Sequence, residues 1–286
     1  MTDPFDFVAT GTRGRGGSGA PRAPALRGGG LRLVEEYDAL YSRFRPDSGV
    51  TRLASDGGSL ALPPHGAELG RLLRTLYEQT DGGVSPLIGD RLADAGYDAG
   101  YSFTRSAPPS PARRWDRMLT WTDDGVHLSE PAVLDVGAAG KGQLVDLVLE
   151  FLMARGHQEV LVDAGGDMRR AGGGSITVAL EHPYDPTSAV GTVQLGSGAL
   201  CASASNRRAW GDGLHHVLDA RTGRTVDTVV ATWVLAEDAM TADGLCTALF
   251  LADPAVLAGT FAFDYVLIHS DGRARYSTPL AGALFT

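Results

Sequence analysis

The sequence predicts an α+β fold, in which a mixed β-sheet packs against helices within a single domain of residues 31–286. Two observations support this prediction. Apolar residues recur at helical spacing in the first third of the chain, whereas the second half contains several short strand-like runs. The segment 134–169 combines both patterns, because two buried strand-like runs flank an amphipathic helix.

The first elements are predicted from helical spacing and turn residues. Residues 11–30 are rich in Gly, Pro, Ala and Arg, so we expect a partly flexible loop in the N-terminal segment 1–30. Apolar residues at helical spacing predict a helix over 31–44. A second helix is predicted over 66–79, and the turn residues Asp81-Gly82-Gly83 end it.

The later elements are predicted in the same way. Residues 102–117 are rich in Pro, Ser and Arg and predict an exposed segment, followed by a hairpin around Asp123-Asp124-Gly125. The runs that we interpret as strands are SITVAL, AVGTVQL, ALCASAS, HHVLDA and VVATWVLA. A helix is predicted over 240–252, and a final hairpin with Asp271-Gly272 at its tip.

The composition excludes several classes of protein. The formal net charge of -9 argues against a nonspecific binder of nucleic acids or anionic membranes. The sequence has no run of about 18 or more apolar residues, so we expect no membrane insertion. The N-terminus lacks the pattern of a secretory signal, and only two cysteines occur, Cys201 and Cys246. We therefore expect a cytoplasmic protein.

A glycine-rich turn at 135–142 is a candidate phosphate site. A helix that begins there would present free N–H groups and the positive end of its dipole, with Lys141 beside them. The turn matches neither a dinucleotide fingerprint nor a P-loop. A tight strand-to-helix turn with a solvated lysine is the alternative. The turn at 163–167 has two glycines that would let a ligand approach, but it also fits a plain β-turn.

Three further groups of residues are candidates for binding or catalysis. Asp243 and Thr247 are four positions apart on a predicted helix and could hold Mg²⁺ by hard oxygen atoms, although Asp243 could instead cap the helix. His216 could act as a general base, although a strand histidine is often structural. Phe44, with its neighbouring arginines, could stack on a planar ring or simply end a helix.

Five segments, in this order, resemble motifs of the ApbE family, the FAD:protein FMN transferases. They are residues 42–53, 134–146, 162–169, 216–223 and 232–250. The resemblance implies an ApbE-like, T-fold-like domain that uses FAD as substrate and binds Mg²⁺. It further implies that FMN is transferred to a Thr or Ser hydroxyl of an acceptor flavoprotein or flavin-carrying domain, with release of AMP.

The resemblance also implies roles for individual residues. It makes His216 and Asp243 the catalytic candidates. It makes the Mg²⁺ ligands the side chains of Asp243 and Thr247 and the main-chain carbonyls of Ala138 and Cys246. The residues implied to contact FAD are Thr10, Phe44, Gly83, Val84, Ser85, Asp135, Lys141 and Leu218.

The chain differs from the family pattern at several motifs: residues 82–85, residues 202–206, Ala220 in place of a proline, and the N-terminal segment around Thr10. Residues 82–85 read Gly-Gly-Val-Ser where the family often has Gly-Ala-Phe-Asp, so one acidic contact to the nucleotide is missing. Two alternatives to the transferase therefore stay open. One is an FAD pyrophosphatase that uses water as the nucleophile, and the other is an FAD-binding protein with impaired catalysis.

Overall fold

An antiparallel β-sheet forms the centre of the computed structural model, which describes residues 2–9, 12–18, 24–106, 108–211 and 213–285. The strands are β1 Thr2–Ala9, β2 Thr12–Ser18, β3 Gly58–Ala61, β4 Leu119–Trp121, β5 Gly125–Leu128, β6 Val160–Asp163, β7 Met168–Ala171, β8 Ile176–His182, β9 Asp185–Leu195, β10 Gly198–Ala204, β11 Ala209–Trp210, β12 Leu214–His215, β13 Leu218–Asp219, β14 Arg224–Thr225, β15 Val229–Ala236, β16 Asp264–His269 and β17 Ala274–Tyr276. The helices are α1 Pro24–Tyr41, α2 Gly49–Asp56, α3 His65–Gln79, α4 Gly89–Asp94, α5 Trp115–Met118, α6 Gly140–Met153, α7 Ala239–Ala248 and α8 Pro254–Ala258.

The main sheet has the strand order β1-β2-β6-β7-β10-β15-β16-β17. This arrangement confirms the predicted α+β fold. The predicted mixture of strand directions is wrong for the described strands, whose pairings are all antiparallel. The reason is local: a tight turn at 164–167 joins β6 to β7, so no crossover helix is needed between them.

The two faces of the main sheet are covered differently. Alternate residues of β10 point to opposite faces, so Cys201 packs with the helices and Leu200 packs with the β8–β9 hairpin. On the helical face, α7 lies against α6 and α3. A Cβ atom at Gly244 would come within 2.7 Å of a Leu76 methyl group, so the small residue permits this close helix packing.

The N-terminal prediction is only partly correct. The expected loop over 11–30 contains strand β2 and the first turns of α1, and residues 10, 11 and 19–23 lie outside the described residues. Strand β2 needs few side chains because its backbone pairs with β6, from Arg15 opposite Asp163 to Ser18 opposite Val160. The predicted helix over 31–44 corresponds to the later part of α1, which ends at Tyr41.

Most other predicted elements are confirmed, with small shifts in their ends. Helix α3 and the β4–β5 and β16–β17 hairpins occur where the sequence predicts them, whereas α7 ends at Ala248 rather than at residue 252. The run HHVLDA is not one strand, because His216 and Val217 separate β12 from β13. None of the helices that the structure describes has the length and apolar character needed to cross a membrane.

Candidate functional site

A cleft of about 700 Å³ lies where the start of α6, the β6–β7 turn, the start of β13 and helix α7 meet. Its size is within the range of about 300–1,000 Å³ that is usual for small-molecule and cofactor sites. Most of the residues singled out from the sequence line it: Phe44, Gly83, Val84, Ser85, Asp135, Ala138, Lys141, His216, Leu218, Asp243 and Thr247. The structure therefore brings together segments that are far apart in the chain.

Helix α6 begins at the bottom of this cleft, as the glycine-rich turn predicts. Its second residue is Lys141 and its third, Gly142, donates its backbone N–H to Oδ2 of Asp243 at 3.0 Å. A Cβ atom at Gly142 would overlap with the carbonyl oxygen of Ala239 at the start of α7. Glycine at this position thus lets α7 approach α6 closely enough to bring Asp243 to the beginning of α6.

We call Lys141, Asp167 and Asp243 the charged floor: Lys141 and Asp243 line the cleft, whereas Asp167 is not among the lining residues and pairs with Lys141 from the protein interior. The Lys141 ammonium forms an ion pair with Oδ2 of Asp167 and lies 3.4 Å from Oδ1 of Asp243. Asp167 and Asp243 are each only 1% exposed. In the described part of the chain, Oδ1 of Asp167 is buried and has no hydrogen-bond partner.

The charged floor alters the protonation of its members. Burial, together with the nearby Asp167 carboxylate, raises the pKa of Asp243 to about 7. Burial alone would lower the pKa of Lys141, but the two carboxylates outweigh it and raise that pKa well above its usual value. Lys141 therefore stays cationic, whereas near neutral pH Asp243 is partly protonated, which reduces the negative charge that Lys141 has to balance.

The turn between β6 and β7 positions Asp167. Gly165 and Gly166 have φ values of 70° and 106°, a region in which glycine is far less strained than other residues. The turn is closed because Ala164 donates its N–H to the carbonyl of Asp167 at 2.8 Å. Residues 164–167 thus form a tight connection between two antiparallel strands and hold the buried carboxylate of Asp167 beside Lys141. Gly165 and Gly166 also line the cleft, so the same connection leaves room for a ligand to approach.

A second ion pair lies beside the start of α6. Arg43 pairs with Oδ2 of Asp135 and donates from Nη1 to the carbonyl of Tyr97 at 2.7 Å. The other oxygen of Asp135, Oδ1, accepts the N–H of Gly137 at 2.6 Å. Asp135 therefore lines the cleft as expected, but its charge is already balanced by an arginine that belongs to a different segment.

Phe44 and Tyr97 line another part of the cleft and pack against Tyr101, and we call these three rings the aromatic wall. The rings of Phe44 and Tyr101 are stacked, with centroids 4.8 Å apart and an interplanar angle of 8°. The Arg43 guanidinium lies over the Phe44 ring, 4.3 Å from its centroid. Phe44 thus belongs to an aromatic cluster at the cleft rather than to the end of a helix.

Main-chain contacts join the 83–85 segment to the region around Leu218. The carbonyl of Gly83 accepts the N–H of Ala220 at 3.0 Å. Ser85 lines the cleft, and its Oγ accepts the N–H of Leu87 at 3.2 Å, which leaves the hydroxyl hydrogen able to donate. The segment therefore presents backbone and a capping serine where the family pattern often has an acid.

The two adjacent histidines lie in different surroundings, because β12 ends at His215 and His216 belongs to the connection to β13. His216 lines the cleft, and its ring lies edge-on to Tyr97 with centroids 6.5 Å apart. His215 is buried, its Nε2 lies 3.0 Å from the carbonyl of Val226, and burial lowers its pKa. His216 is thus the histidine of this pair that can meet a ligand in the cleft.

The residues that the resemblance implies as metal ligands do not all reach the cleft surface. Ala138, Asp243 and Thr247 line the cleft, whereas Cys246 is fully buried and is not among the lining residues. The Cys246 carbonyl accepts the hydroxyl of Thr232 at 2.9 Å, because this side of α7 faces β15. Thr10, an implied FAD contact, lies outside the described residues.

Two residues of the site were not singled out from the sequence. Arg43 was considered only as one of the arginines flanking Phe44, and Asp167 only as part of a turn. A signal existed for Asp167, since an acid that directly follows two glycines after a buried strand is positioned at the end of that strand. Within the described residues, no cluster of three or more His, Cys, Asp or Glu side chains could hold a metal ion.

Comparisons with known proteins agree on one family. A model of the ApbE family matches residues 26–260. The FAD:protein FMN transferase of Rhodobacter capsulatus is 31% identical over 247 residues, which are 78% of this chain and 46% of that protein. The chain thus spans about half the length of that relative. The FAD:protein FMN transferase of Vibrio cholerae serotype O1 is 28% identical over 237 residues, 77% of this chain and 71% of that protein.

Solved structures show the same fold. The ApbE protein from Thermotoga maritima superposes with a TM-score of 0.85 at 20% identity, covering 99% of both chains. The flavin transferase ApbE from Vibrio cholerae superposes with a TM-score of 0.76 at 21% identity, again over 99% of both chains.

Proposed function

Because this chain belongs to the ApbE family, we propose that it transfers FMN from FAD to a Thr or Ser hydroxyl of an acceptor flavoprotein and releases AMP. The observation that carries the proposal is the meeting of Lys141, Asp167 and Asp243 at the start of α6, inside a cleft of suitable size. Such a site combines helix N–H groups with a lysine and hard oxygen atoms, as binding of a diphosphate and its metal ion requires.

The two sides of the cleft suit the two parts of FAD. In this proposal the diphosphate lies over the charged floor, near Lys141 and the positive end of the α6 dipole. A ring of the dinucleotide packs against the edge of the aromatic wall where Phe44 and Tyr97 line the cleft. Gly83, Val84, Ser85 and Leu218 line the space between them with backbone and small side chains. Asp135 holds the Arg43 guanidinium in place against the ring of Phe44.

The residues of the charged floor fit a magnesium ion. Magnesium usually binds one or two carboxylates and completes its octahedron with phosphate oxygens and water. Asp243 and Thr247 supply side-chain oxygens at the cleft, and Ala138 supplies a main-chain carbonyl. Oδ1 of Asp167 is a buried acceptor that still lacks a donor or cation among the described residues. We propose no direct role for Cys246, whose carbonyl is bonded within the core.

The reaction balances with groups that line the cleft. The acceptor hydroxyl oxygen forms a bond to the FMN phosphorus, and the bond from that phosphorus to the bridging oxygen breaks, so that AMP leaves. His216 accepts the hydroxyl proton. Bound Mg²⁺ would neutralise charge that develops on the diphosphate. In this proposal the catalytic role of Asp243 is to hold the metal ion beside the start of α6. Its Oδ2 already accepts the N–H of Gly142, the third residue of that helix.

A parallel reaction with a known enzyme tests the proposal. The acceptor is a flavoprotein domain that the Vibrio cholerae transferase labels with FMN under the same conditions. Incubation of this protein with FAD, Mg²⁺ and that domain should add one FMN to the domain, measured by mass, and release an equal amount of AMP. Omission of the acceptor tests for pyrophosphatase activity.

Two outcomes would contradict the proposed transfer, and a third would contradict its need for Mg²⁺. AMP and FMN released equally without acceptor would identify a pyrophosphatase. FAD binding without any AMP release would identify an impaired enzyme. Full transfer in the presence of a chelator would remove Mg²⁺ from the proposal.

A further inference from the structure

Lys141 differs in type from every other basic residue of the sequence. Of 25 basic residues, 24 are arginines and Lys141 is the only lysine. Its ammonium contacts two carboxylates that are each 1% exposed, Asp167 and Asp243. The only compact cationic side chain in the sequence therefore lies between the two buried acids of the cleft.

The geometry of this position requires a small cation. An ammonium is a compact point charge with rotatable donors, whereas a guanidinium is a planar fork that binds carboxylates side by side. Asp167 and Asp243 approach the same Nζ atom from different elements, the β6–β7 turn and α7. A point charge satisfies both of them at once, which is also what a divalent metal ion does in a carboxylate site.

The three side chains are not electrically balanced. Two carboxylates and one ammonium leave a formal charge of about -1 in a place with little water, which is costly unless a further cation or proton is supplied. The atoms point to the same conclusion, because Oδ1 of Asp167 is buried and lacks a partner within the described residues. Oδ2 of Asp243, in contrast, is bound by the N–H of Gly142.

We propose that Lys141 is a built-in competitor for the metal site: its ammonium holds Asp167 and Asp243 together until a divalent cation replaces it between them. Asp167 is then a second carboxylate of the cation site, and the displaced Lys141 turns towards the diphosphate. This inference rests on the proposed function, since it assumes that a divalent cation binds at the charged floor.

The competitor model predicts opposite effects for two substitutions that remove an ion pair. Removal of Lys141 frees both carboxylates, so Lys141→Met should bind Mn²⁺ roughly tenfold more tightly than wild type when no flavin is present. Asp167→Asn removes one carboxylate, so it should bind Mn²⁺ roughly tenfold less tightly. In a purely structural ion pair, both variants would instead be weakened alike by disorder of the floor.

Mn²⁺ is the probe, and its free concentration is followed by electron paramagnetic resonance on the full chain, with and without FAD. Arg117→Met is the matched control for loss of one positive charge, because Arg117 is exposed on α5. Asp124→Asn is the control for loss of one carboxylate, because Asp124 is exposed in the β4–β5 turn. Both controls should bind Mn²⁺ like the wild type. FAD affinity should fall in Lys141→Met, because the lysine also faces the diphosphate.

A second measurement needs no substitution. Growth on ¹³C-lysine labels a single residue, so the one Cε signal in the spectrum reports on Lys141 alone. Addition of Mg²⁺ with FAD should shift this signal, since the ammonium exchanges two carboxylates for a phosphate. This readout remains available even where a floor variant fails to fold.

The outcomes separate the inference from the proposed function. If FAD-loaded wild type binds Mn²⁺ but Lys141→Met gains no affinity and the lysine signal is unmoved, the competitor role is overturned and the transferase proposal stands. If Asp167→Asn binds Mn²⁺ as tightly as wild type, Asp167 is not a carboxylate of the cation site and the inference is also overturned. If wild type binds no Mn²⁺ with or without FAD, the metal in the proposed function fails, and the inference fails with it.

Discussion

The charged floor and the aromatic wall lie in one cleft but are built by different forces. In the floor, Asp167 and Asp243 are almost completely buried and are fixed by ion pairs and by a backbone N–H group. In the wall, Phe44 is half-buried and is held by stacking on Tyr101 and by contact with Arg43. The rigid floor is therefore suited to catalysis, because the rate depends on how accurately charged groups are positioned. The wall is suited to binding, because affinity depends on the apolar area that a ligand covers.

The largest effect should follow from a change in the floor. Asp243→Asn keeps an oxygen that can accept the N–H of Gly142 but removes the charge. We expect Mg²⁺-dependent FMN transfer to fall by about a thousandfold, comparable to loss of a main electrostatic group at a reacting centre. Initial rates of AMP release measure it, with Asp124→Asn as the control. Turnover close to that of wild type would contradict the assignment of Asp243.

The next largest effect should be a loss of stability when the ion pair between Arg43 and Asp135 is broken. This pair lies between the charged floor and the aromatic wall. Arg43→Met leaves the half-buried Asp135 without its guanidinium and removes the donor to the Tyr97 carbonyl. Loss of one partner of a buried ion pair costs about 3 kcal/mol or more. Denaturant unfolding measures the cost, and Arg117→Met provides the exposed control. In the background of Asp135→Asn, the same substitution should cost clearly less, and an unchanged cost would argue against the pair.

A smaller loss of stability should come from the backbone that supports the floor. Gly142→Ala places a methyl group against the carbonyl of Ala239 and should push α7 away from α6. We expect a loss of about 2 kcal/mol in the free energy of unfolding, typical of overpacking. The matched control is Gly28→Ala on α1, where a Cβ atom meets nothing within 4 Å. That change should leave stability equal or slightly higher.

The smallest effect should appear in the wall. Phe44→Leu removes stacking worth about 1 kcal/mol, so FAD should bind roughly fivefold more weakly while the rate at saturating FAD stays the same. Phe103→Leu is the control, because Phe103 is 43% exposed and is not among the cleft residues. A lowered rate at saturating FAD in Phe44→Leu would mean that the wall also positions the reacting phosphorus, and the comparison would no longer hold.

The residues of the site could be predicted from the sequence where those that act together lie close together in the chain. The glycine-rich start of α6 and the spacing of Asp243 and Thr247 can be read within single segments, and the structure brings them together. The pairing of Arg43 with Asp135 could not be predicted in this way, because the two residues are 92 positions apart. Cys246 shows the same limit, since only the packing of α7 on β15 reveals that its carbonyl is bonded to Thr232.

The fold was predictable to a similar extent. Hairpins with Asp-Gly turns and amphipathic helices follow from local patterns, and they are confirmed. Strand β2 was missed because its glycine-rich sequence has no strand propensity, and its pairing with β6 comes from distant backbone. Strand directions were readable only in part: the short turn between β6 and β7 is local, whereas the pairings of β2 with β6 and of β7 with β10 join distant segments.

The most direct test of the account uses phosphorus NMR of FAD bound to the protein, with Mn²⁺ added in small amounts. A Mn²⁺ ion bound between the charged floor and the diphosphate should broaden both FAD phosphorus signals in the wild-type complex. In the Asp243→Asn complex the same signals should broaden far less. Equal broadening in the two complexes, or none in the wild type, would show that no metal ion is held there.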